Sequence, residues 1–383
     1  MSTQPRILVV DDIPDNRELL CRLLSRQGHA SAIAANGKEA LECLAKEKFD
    51  CVLLDIMMPV MGGIETLSRL KGDEAMRHIP VIVVSAIDDI DNVVKCIELG
   101  AEDYLFKPVN KVILNARVSA SLEKKRLRDQ EQAYTLHVKH ELELARQIQA
   151  DFLPEALPQP DGWEVAVSFE PAFEVAGDFY DAFMVGSDRL CFVIADVCGK
   201  GVGAALFMSL VRSLMRAYAE QAKGGDSDIL NAVTLTNGYL TRHHRLKNSY
   251  LFTTLLFGVL DTKKGTLRYV AAGHYPPIIL SDSGVITTLG LCGPALGILT
   301  EPGFTVKESQ LSKGDILLAY TDGITEAKNA AEDLYSKERL VAVMESRPHD
   351  AKTLLMRIKA GLANYIGDTE QSDDITMMAI RRL

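Results

Sequence analysis

From Asn110 to Phe152 the chain contains no glycine and no proline, and Leu, Glu, Lys, Arg, Gln and Ala dominate. These residues lose little on entering a helix. The stretch therefore reads as one long helix, and it ends where Pro154, Pro158 and Pro160 begin. Its middle, residues 123–132, is almost wholly charged or amide-bearing and has no face to bury. Apolar residues return at Tyr134, Val138, Leu142, Ala145, Ile148 and Phe152, in steps of three or four. That is a narrow stripe of the coiled-coil kind. One pattern of strands and helices precedes this helix and a different one follows it. We therefore expect a domain at residues 1–121, a helical, coiled-coil linker at 122–158 and a second domain at 159–383. The stripe would pair two copies into a homodimer, and a solvated spacer is the plainer alternative.

A chain of 383 residues has room for two ordinary domains and a linker. Its formal net charge of −10 argues against nucleic acid as a partner and suits a protein that gathers carboxylates around cations. No apolar run approaches the roughly 18 residues of a membrane span, and no signal-peptide pattern opens the sequence. The seven cysteines are odd in number and scattered, with no C-x-x-C, so we expect reduced core thiols in a cytoplasmic protein.

In the first domain, apolar runs at residues 7–10, 51–54, 81–84 and 104–106, with a weaker one at 30–34, alternate with helix-like segments. Unalternated Val/Ile/Leu strands separated by helices imply an α/β fold, a doubly wound parallel sheet of five strands. Ligands bind such sheets at the carboxyl ends of the strands. There stand Asp11 and Asp12, then Asp55, Ser85 and Lys107. Neighbouring carboxylates repel one another unless a hard cation such as Mg²⁺ lies among them. A carboxylate beside Mg²⁺ and a lysine can attack phosphorus and form an acyl phosphate. The segments VVDD, LLDIMMPVMGG, VVSA and the lysine of FKP resemble the response-regulator receiver family. The resemblance implies that Asp55 is the phospho-acceptor and that Asp11, Asp12 and Asp55 hold Mg²⁺. It implies that Ser85 and Lys107 read the phosphoryl group, that Tyr104 is the switch aromatic, and that the donor is a histidine kinase or phosphotransfer protein.

The second domain has short β-rich runs, many alternating in polarity, at residues 163–170 and 179–184, 190–196 and 253–261, 266–272 and 277–281, and 315–320 and 375–381. With helices at 203–222, 227–243, 337–344 and 351–365, they imply an α+β domain of two antiparallel sheets flanked by helices. Asp178, Asp196, Asp322, Asp373 and Asp374 fall at strand ends and turns, with no basic residue matched to each. Such a set suits two hard cations, Mg²⁺ or Mn²⁺. Two such ions can activate water for in-line attack on phosphorus without a protein nucleophile. AGDFYD, ADVCGKGVGAAL, AAGHYPP, YTDGITEA and DDIT, in this order, resemble the metal-dependent, protein phosphatase 2C-like family. Its bacterial branch acts on anti-sigma-factor antagonists. The resemblance implies that Asp196 bridges both ions, that the Val197 carbonyl binds one, and that Asp322 and Asp373 complete a site. Asp178 would act from the other side, and Asp374 is the lesser ligand of its pair. No phosphate-gripping arginine precedes Asp178.

Other readings are weaker. Gly199, Gly201 and Gly203 could form a nucleotide loop, but the βαβ context is missing. His274 could be a general acid or a turn residue. His137, His140 and His243-His244 read as surface residues. The expected function is a receiver-gated serine/threonine phosphatase, for which a phosphorylated anti-sigma-factor antagonist would be the substrate. The rival is an adaptor that binds a sigma or anti-sigma factor through an inactive phosphatase fold.

Overall fold

The structure is a computed structural model describing residues 4–86, 90–222, 225–243 and 251–383. It divides into two compact units, residues 1–138 and 139–383.

The first unit runs β1 (Arg6–Val10), α1 (Pro14–Ser25), β2 (Ala30–Ala34), α2 (Gly37–Lys46), β3 (Cys51–Asp55), α3 (Gly63–Gly72), β4 (Val81–Ala86), α4 (Ile90–Glu98), β5 (Asp103–Lys107) and the start of α5 (Lys111–Phe152). The sheet is parallel throughout, in the order β2-β1-β3-β4-β5. Its strands bury both faces, and successive residues divide between two cores. Leu8, Val10, Val52, Leu54, Val81 and Val83 pack with Ala40, Leu67 and Val93 of α2, α3 and α4. Ile7, Val9, Leu53 and Ile82 pack with Leu20 and Leu24 of α1 and with Leu114 and Val118 of α5. The strand order turns back between β1 and β3, so the residues after these two strands flank a crevice.

The expected long helix is present as α5. Residues 126–137 are exposed throughout. Of the apolar stripe, Val138, Leu142, Ala145 and Phe152 are half-buried, whereas Tyr134 and Ile148 are 70% and 61% exposed. The buried residue near its end is Gln149.

The second unit continues with β6 (Trp163–Glu170), β7 (Phe179–Val185), β8 (Arg189–Val197), α6 (Val202–Gln221), α7 (Asp226–Leu230), α8 (Ala232–His243), β9 (Thr253–Asp261), β10 (Thr266–Ala272), β11 (Ile278–Leu280), β12 (Ile286–Thr288), β13 (Lys307–Gln310), β14 (Ile316–Tyr320), α9 (Asp322–Thr325), α10 (Ser336–Glu345), α11 (Ala351–Ile366) and β15 (Ile375–Arg382). One antiparallel sheet has the order β13-β10-β9-β8-β7 and the other β12-β11-β14-β15-β6. Inward residues of both, such as Val193 and Phe257 from one and Leu317 and Met378 from the other, share a core that extends to α6, α7 and α8. The opposite face of the second sheet packs on α10 and α11.

Three sequence expectations need adjustment. The runs at 163–170 and 179–184 are not neighbours, because β6 pairs with β15 while β7 pairs with β8. The segment between them, residues 171–178, passes from one sheet to the other instead of turning back. Residues 266–272 and 277–281 are likewise separated by a crossing that carries His274 and two prolines. The helix expected at 227–243 is interrupted at Asn231, a residue that favours caps over helix interiors. His137, His140 and His243 are exposed, and His244 lies outside the described residues. Among the described residues no helix is long and apolar enough to cross a membrane. The cysteines form no disulfide, and burial raises the pKa of the Cys51 and Cys191 thiols to about 12, which leaves them inert.

Candidate functional site

In the first unit the parallel strands deliver their last residues to one edge. Asp11 follows β1, Asp55 closes β3, Ser85 is in β4 and Lys107 closes β5. Lys107 Nζ donates to Asp11 Oδ2 and to Asp55 Oδ2, each at 2.9 Å. Carboxylate oxygens of Asp11, Asp12 and Asp55 lie within 4.8 Å of one another. Burial raises the Asp55 pKa, and the bond from Lys107 only partly offsets it. Burial also opposes the charge on Lys107, but its bonds to Asp55 and Asp11 outweigh this and raise its pKa. Three carboxylates, two of them sharing one ammonium, fit a hard divalent cation such as Mg²⁺.

The surroundings fix these groups. Asn16 Nδ2 donates to both Asp11 oxygens at 3.1 and 3.2 Å, and Ile13 N donates to Asp11 Oδ1. Arg17 holds the carbonyls of Asp11 and Asp12, a role the sequence did not announce. A Cβ on Gly63 would lie 2.2 Å from the Asp55 carbonyl oxygen, so the loop after β3 closes only with glycine there. Ser85 is buried and its Oγ donates to the Ala86 carbonyl at 3.3 Å. Tyr104 is 36% exposed, edge-on to Phe106 and beneath the Arg117 guanidinium.

In the second unit the aspartates come from both sheets. Asp196 and Val197 end β8, Asp178 precedes β7, Asp322 opens α9 after β14, and Asp373 and Asp374 precede β15. Asp178 is buried, and its Oδ2 accepts from Thr321 Oγ1 at 2.8 Å and Thr376 Oγ1 at 2.5 Å. Burial, then the charge of Asp196, pushes the Asp178 pKa well above the usual carboxylate range. Burial and the charges of Asp322, Asp373 and Asp374 raise Asp196 to about 7. Burial followed by Glu326 and Asp373 raises Asp322. These carboxyls lack positive charge nearby. Divalent cations would supply it, and the all-oxygen donor set suits Mg²⁺ or Mn²⁺, whereas among the described residues only Asp11, Asp12 and Asp55 bring three such ligand atoms within 4.8 Å of one another.

Asp374 does something else as well. Its Oδ1 accepts from Ala172 N at 2.8 Å, and its Oδ2 from Gly177 N at 2.7 Å and Asp178 N at 3.3 Å. It thereby holds the segment that carries Asp178. Gln149 of α5 grips the same segment from another side: its Nε2 donates to the Ala176 carbonyl at 2.7 Å and its Oε1 accepts from Ala176 N at 2.9 Å. A Cβ on Gly323 would meet the Asp374 carbonyl oxygen at 2.0 Å, so the two aspartate-bearing turns touch through backbone. The Val197 carbonyl faces Gly177, where a Cβ would come within 3.1 Å of it.

His274 is buried with Nδ1 2.9 Å from Thr254 Oγ1, and burial drops its pKa to about 3. It is a neutral structural imidazole and not a general acid near neutral pH. Sequence reading also passed over Asp181, buried and paired to Arg212 at 2.9 Å and Arg216 at 3.2 Å, which pins β7 to α6. Its signal was the second aspartate of GDFYD.

Comparison with known proteins agrees with this geometry. The Response regulator receiver domain model matches residues 7–119. The model of Stage II sporulation protein E (SpoIIE) matches residues 186–383, just over half of the chain. The chain belongs to the SpoIIE family. In this member a receiver domain precedes the SpoIIE phosphatase domain. Protein IcfG of Synechocystis sp. is 40% identical over 264 residues, 63% of this chain and 41% of that protein. Phosphoserine phosphatase RsbU of Bacillus subtilis is 26% identical over 248 residues, 64% of this chain and 71% of its own. Response regulator PleD of Caulobacter vibrioides is 42% identical over 113 residues, 30% of this chain and 25% of that protein. The chain thus spans well under two thirds of Protein IcfG and of PleD. The SiaA-PP2C domain of Pseudomonas aeruginosa has the same fold as this SpoIIE domain, with TM-score 0.55 and 22% identity over 65% of this chain and 98% of that one.

Proposed function

We propose that this protein is a two-component response regulator whose output is metal-dependent hydrolysis of phosphoserine or phosphothreonine in a protein. The observation that carries the reading is the mutual charge of Asp178, Asp196 and Asp322, delivered from two sheets with Asp373 and Asp374 beside them and raised in pKa by burial and by one another's charge. In the receiver, Asp55 takes a phosphoryl group from a histidine kinase or phosphotransfer protein. A carboxylate oxygen of Asp55 forms the new bond to phosphorus, and the donor leaves with the electron pair of the bond it loses. Lys107, poised between Asp11 and Asp55, neutralises charge there, and Ser85 and Tyr104 respond to the modification.

In the phosphatase domain, Asp196 with the Val197 carbonyl, Asp322, Asp373 and Asp178 would hold two divalent cations, with Asp374 chiefly keeping the Asp178 segment in place. When bound, such ions supply activated water and screen phosphate charge. The substrate proposed is a phosphorylated anti-sigma-factor antagonist, supported by likeness to the phosphoserine phosphatase RsbU. The linker at residues 122–158 joins the domains at 1–121 and 159–383, and its stripe pairs two copies into a dimer. An adaptor with an inactive phosphatase fold is disfavoured because no aspartate of the set is replaced.

The test is hydrolysis of p-nitrophenyl phosphate with Mn²⁺. Activity should vanish in excess chelator and in Asp196→Asn, while Asp196→Asn keeps its fold but loses Mn²⁺ binding. Turnover that survives chelation would sink the reading.

A further inference from the structure

Bound cations would screen the phosphate oxygens that face them, and a phosphoseryl dianion has further oxygens that a side-chain cation can hold. No lysine or arginine occurs between Arg146 and Asp178, so the entry to the site offers none from that side. Among the described residues, the one ion pair made by Asp178, Asp196, Asp322, Asp373 and Asp374 is that of Asp373 Oδ2 with Lys200 Nζ, at 3.1 Å.

Lys200 is displayed for this position. It stands in the turn between β8, which delivers Asp196, and α6. It is flanked by Gly199 at φ 98° and Gly201 at φ 75°, and a Cβ at either would meet nothing within 4 Å. The left-handed glycines turn the chain sharply and leave the lysine stem unobstructed. Its ammonium also donates to the Ser372 carbonyl and lies 5.6 Å from the centroid of the Phe173 ring. Phe173 is half exposed and belongs to the segment that leads to Asp178. Lys200 thus touches both segments that bring Asp178 and Asp373 to the site, while its own turn brings Asp196. The pair with Asp373 is 47% and 44% exposed, and ion pairs so open to water are weak. Exchanging Asp373 for a phosphate oxygen therefore costs little, and the ammonium can direct its three donors on a flexible stem.

We propose that Lys200 is the residue that binds the phosphate of the substrate, a phosphoserine or phosphothreonine monoester, and that its pairing with Asp373 is the resting arrangement. The proposal rests on the phosphatase reading above. It also gives the Gly-Lys-Gly turn a function that a nucleotide loop does not.

The experiment uses the full chain saturated with Mn²⁺, with inorganic phosphate as the binding probe and p-nitrophenyl phosphate as substrate. Lys200→Met should weaken calorimetric phosphate binding about tenfold, equivalent to ~1.4 kcal/mol. It should raise KM by a similar factor with a much smaller fall in kcat, and Lys200→Arg should recover most of the binding. Mn²⁺ affinity should stay within about twofold, because phosphate and not metal is what the ammonium holds. Equal phosphate affinity in wild type and Lys200→Met, with tighter Mn²⁺ binding in the variant, would overturn the proposal and leave Lys200 a counter-charge to Asp373. Loss of Mn²⁺ binding in Lys200→Met would overturn it in favour of a loop tie. A wild-type chain that binds Mn²⁺ but neither binds phosphate nor hydrolyses the ester would overturn the phosphatase reading and this proposal together.

Discussion

Gln149→Ala tests how α5 governs the aspartate cluster. The Gln149 side chain is buried and makes two bonds to the backbone of Ala176, which is fully buried. Truncation leaves the Ala176 N–H and C=O without partners. An unpaired buried polar group costs about 1–3 kcal/mol, so the pair costs ~2–6 kcal/mol. Water entering the space of the lost amide moves the expected value to about 2–4 kcal/mol. In a unit of this size each kcal/mol lowers Tm by about 2–4 °C, so a fall of roughly 4–16 °C in the phosphatase transition is expected by calorimetry. Asp178 is two residues from Ala176, and its remaining anchors are Asp374, Thr321 and Thr376. Mn²⁺ affinity should fall with the loosening of the segment. Gln149→Glu would set a carboxylate oxygen against the Ala176 carbonyl in a buried site, so its Tm should fall at least as far near neutral pH. Receiver phosphorylation should be untouched, while the response of turnover to beryllofluoride should shrink. A Gln149→Ala chain with wild-type Tm, Mn²⁺ affinity and beryllofluoride response would refute the argument that this amide holds the segment.

Asp55→Ala should abolish labelling by acetyl phosphate with Mg²⁺; label that persists would place the acceptor elsewhere. Two residues inserted after Glu131 turn the helix by about 200°, and regulation of turnover should be lost while unregulated hydrolysis and Asp55 labelling persist; regulation that survives would make α5 a tether. His274 gives a pH signature. Its folded-state pKa of about 3 lies below the ordinary 6.5, so between these values the unfolded chain binds a proton that the folded one excludes. Stability is therefore lost as pH falls through that window, at up to about 1.4 kcal/mol per pH unit. Urea unfolding at pH 7 and pH 5 should show a steeper loss for wild type than for His274→Gln, and an NMR titration of His274 near 6.5 would contradict this.

Much of this was legible in the sequence for physical reasons. The absence of Gly and Pro from Asn110 to Phe152 announced α5, and solid runs such as Cys51–Asp55 announced a parallel sheet. Asp11, Asp55 and Lys107 could be placed together because parallel strands bring their carboxyl ends to one edge, whatever their sequence separation. The antiparallel unit gave no such shortcut. Residues 163–170 and 179–184 look like a hairpin locally, and only the long-range bonds from Asp374 to Ala172, Gly177 and Asp178 explain why the chain crosses between sheets instead. Gln149 was hidden for a related reason. Periodicity singles out apolar residues, so it put Ile148 in the stripe, whereas the buried position belongs to the amide beside it. Lys200 was overlooked because its meaning depends on Asp373, far away in sequence, and not on the glycines around it.

The place of β15 has a consequence for how the protein is made. It is the last strand in chain order, yet it lies inside its sheet, between β14 and β6. β6, the first strand of the unit to be synthesised, finds its partner only when Ile375 comes to lie opposite Glu170. Asp373 and Asp374 arrive with that strand. Contacts this distant in sequence form slowly, and synthesis at about 5–20 residues per second leaves the second sheet open until β15 emerges. The first unit, whose sheet closes through neighbouring crossovers, can be complete long before. A ribosome-bound chain would thus have Asp11, Asp55 and Lys107 already held at one sheet edge while Asp373 and Asp374 had yet to reach Asp178.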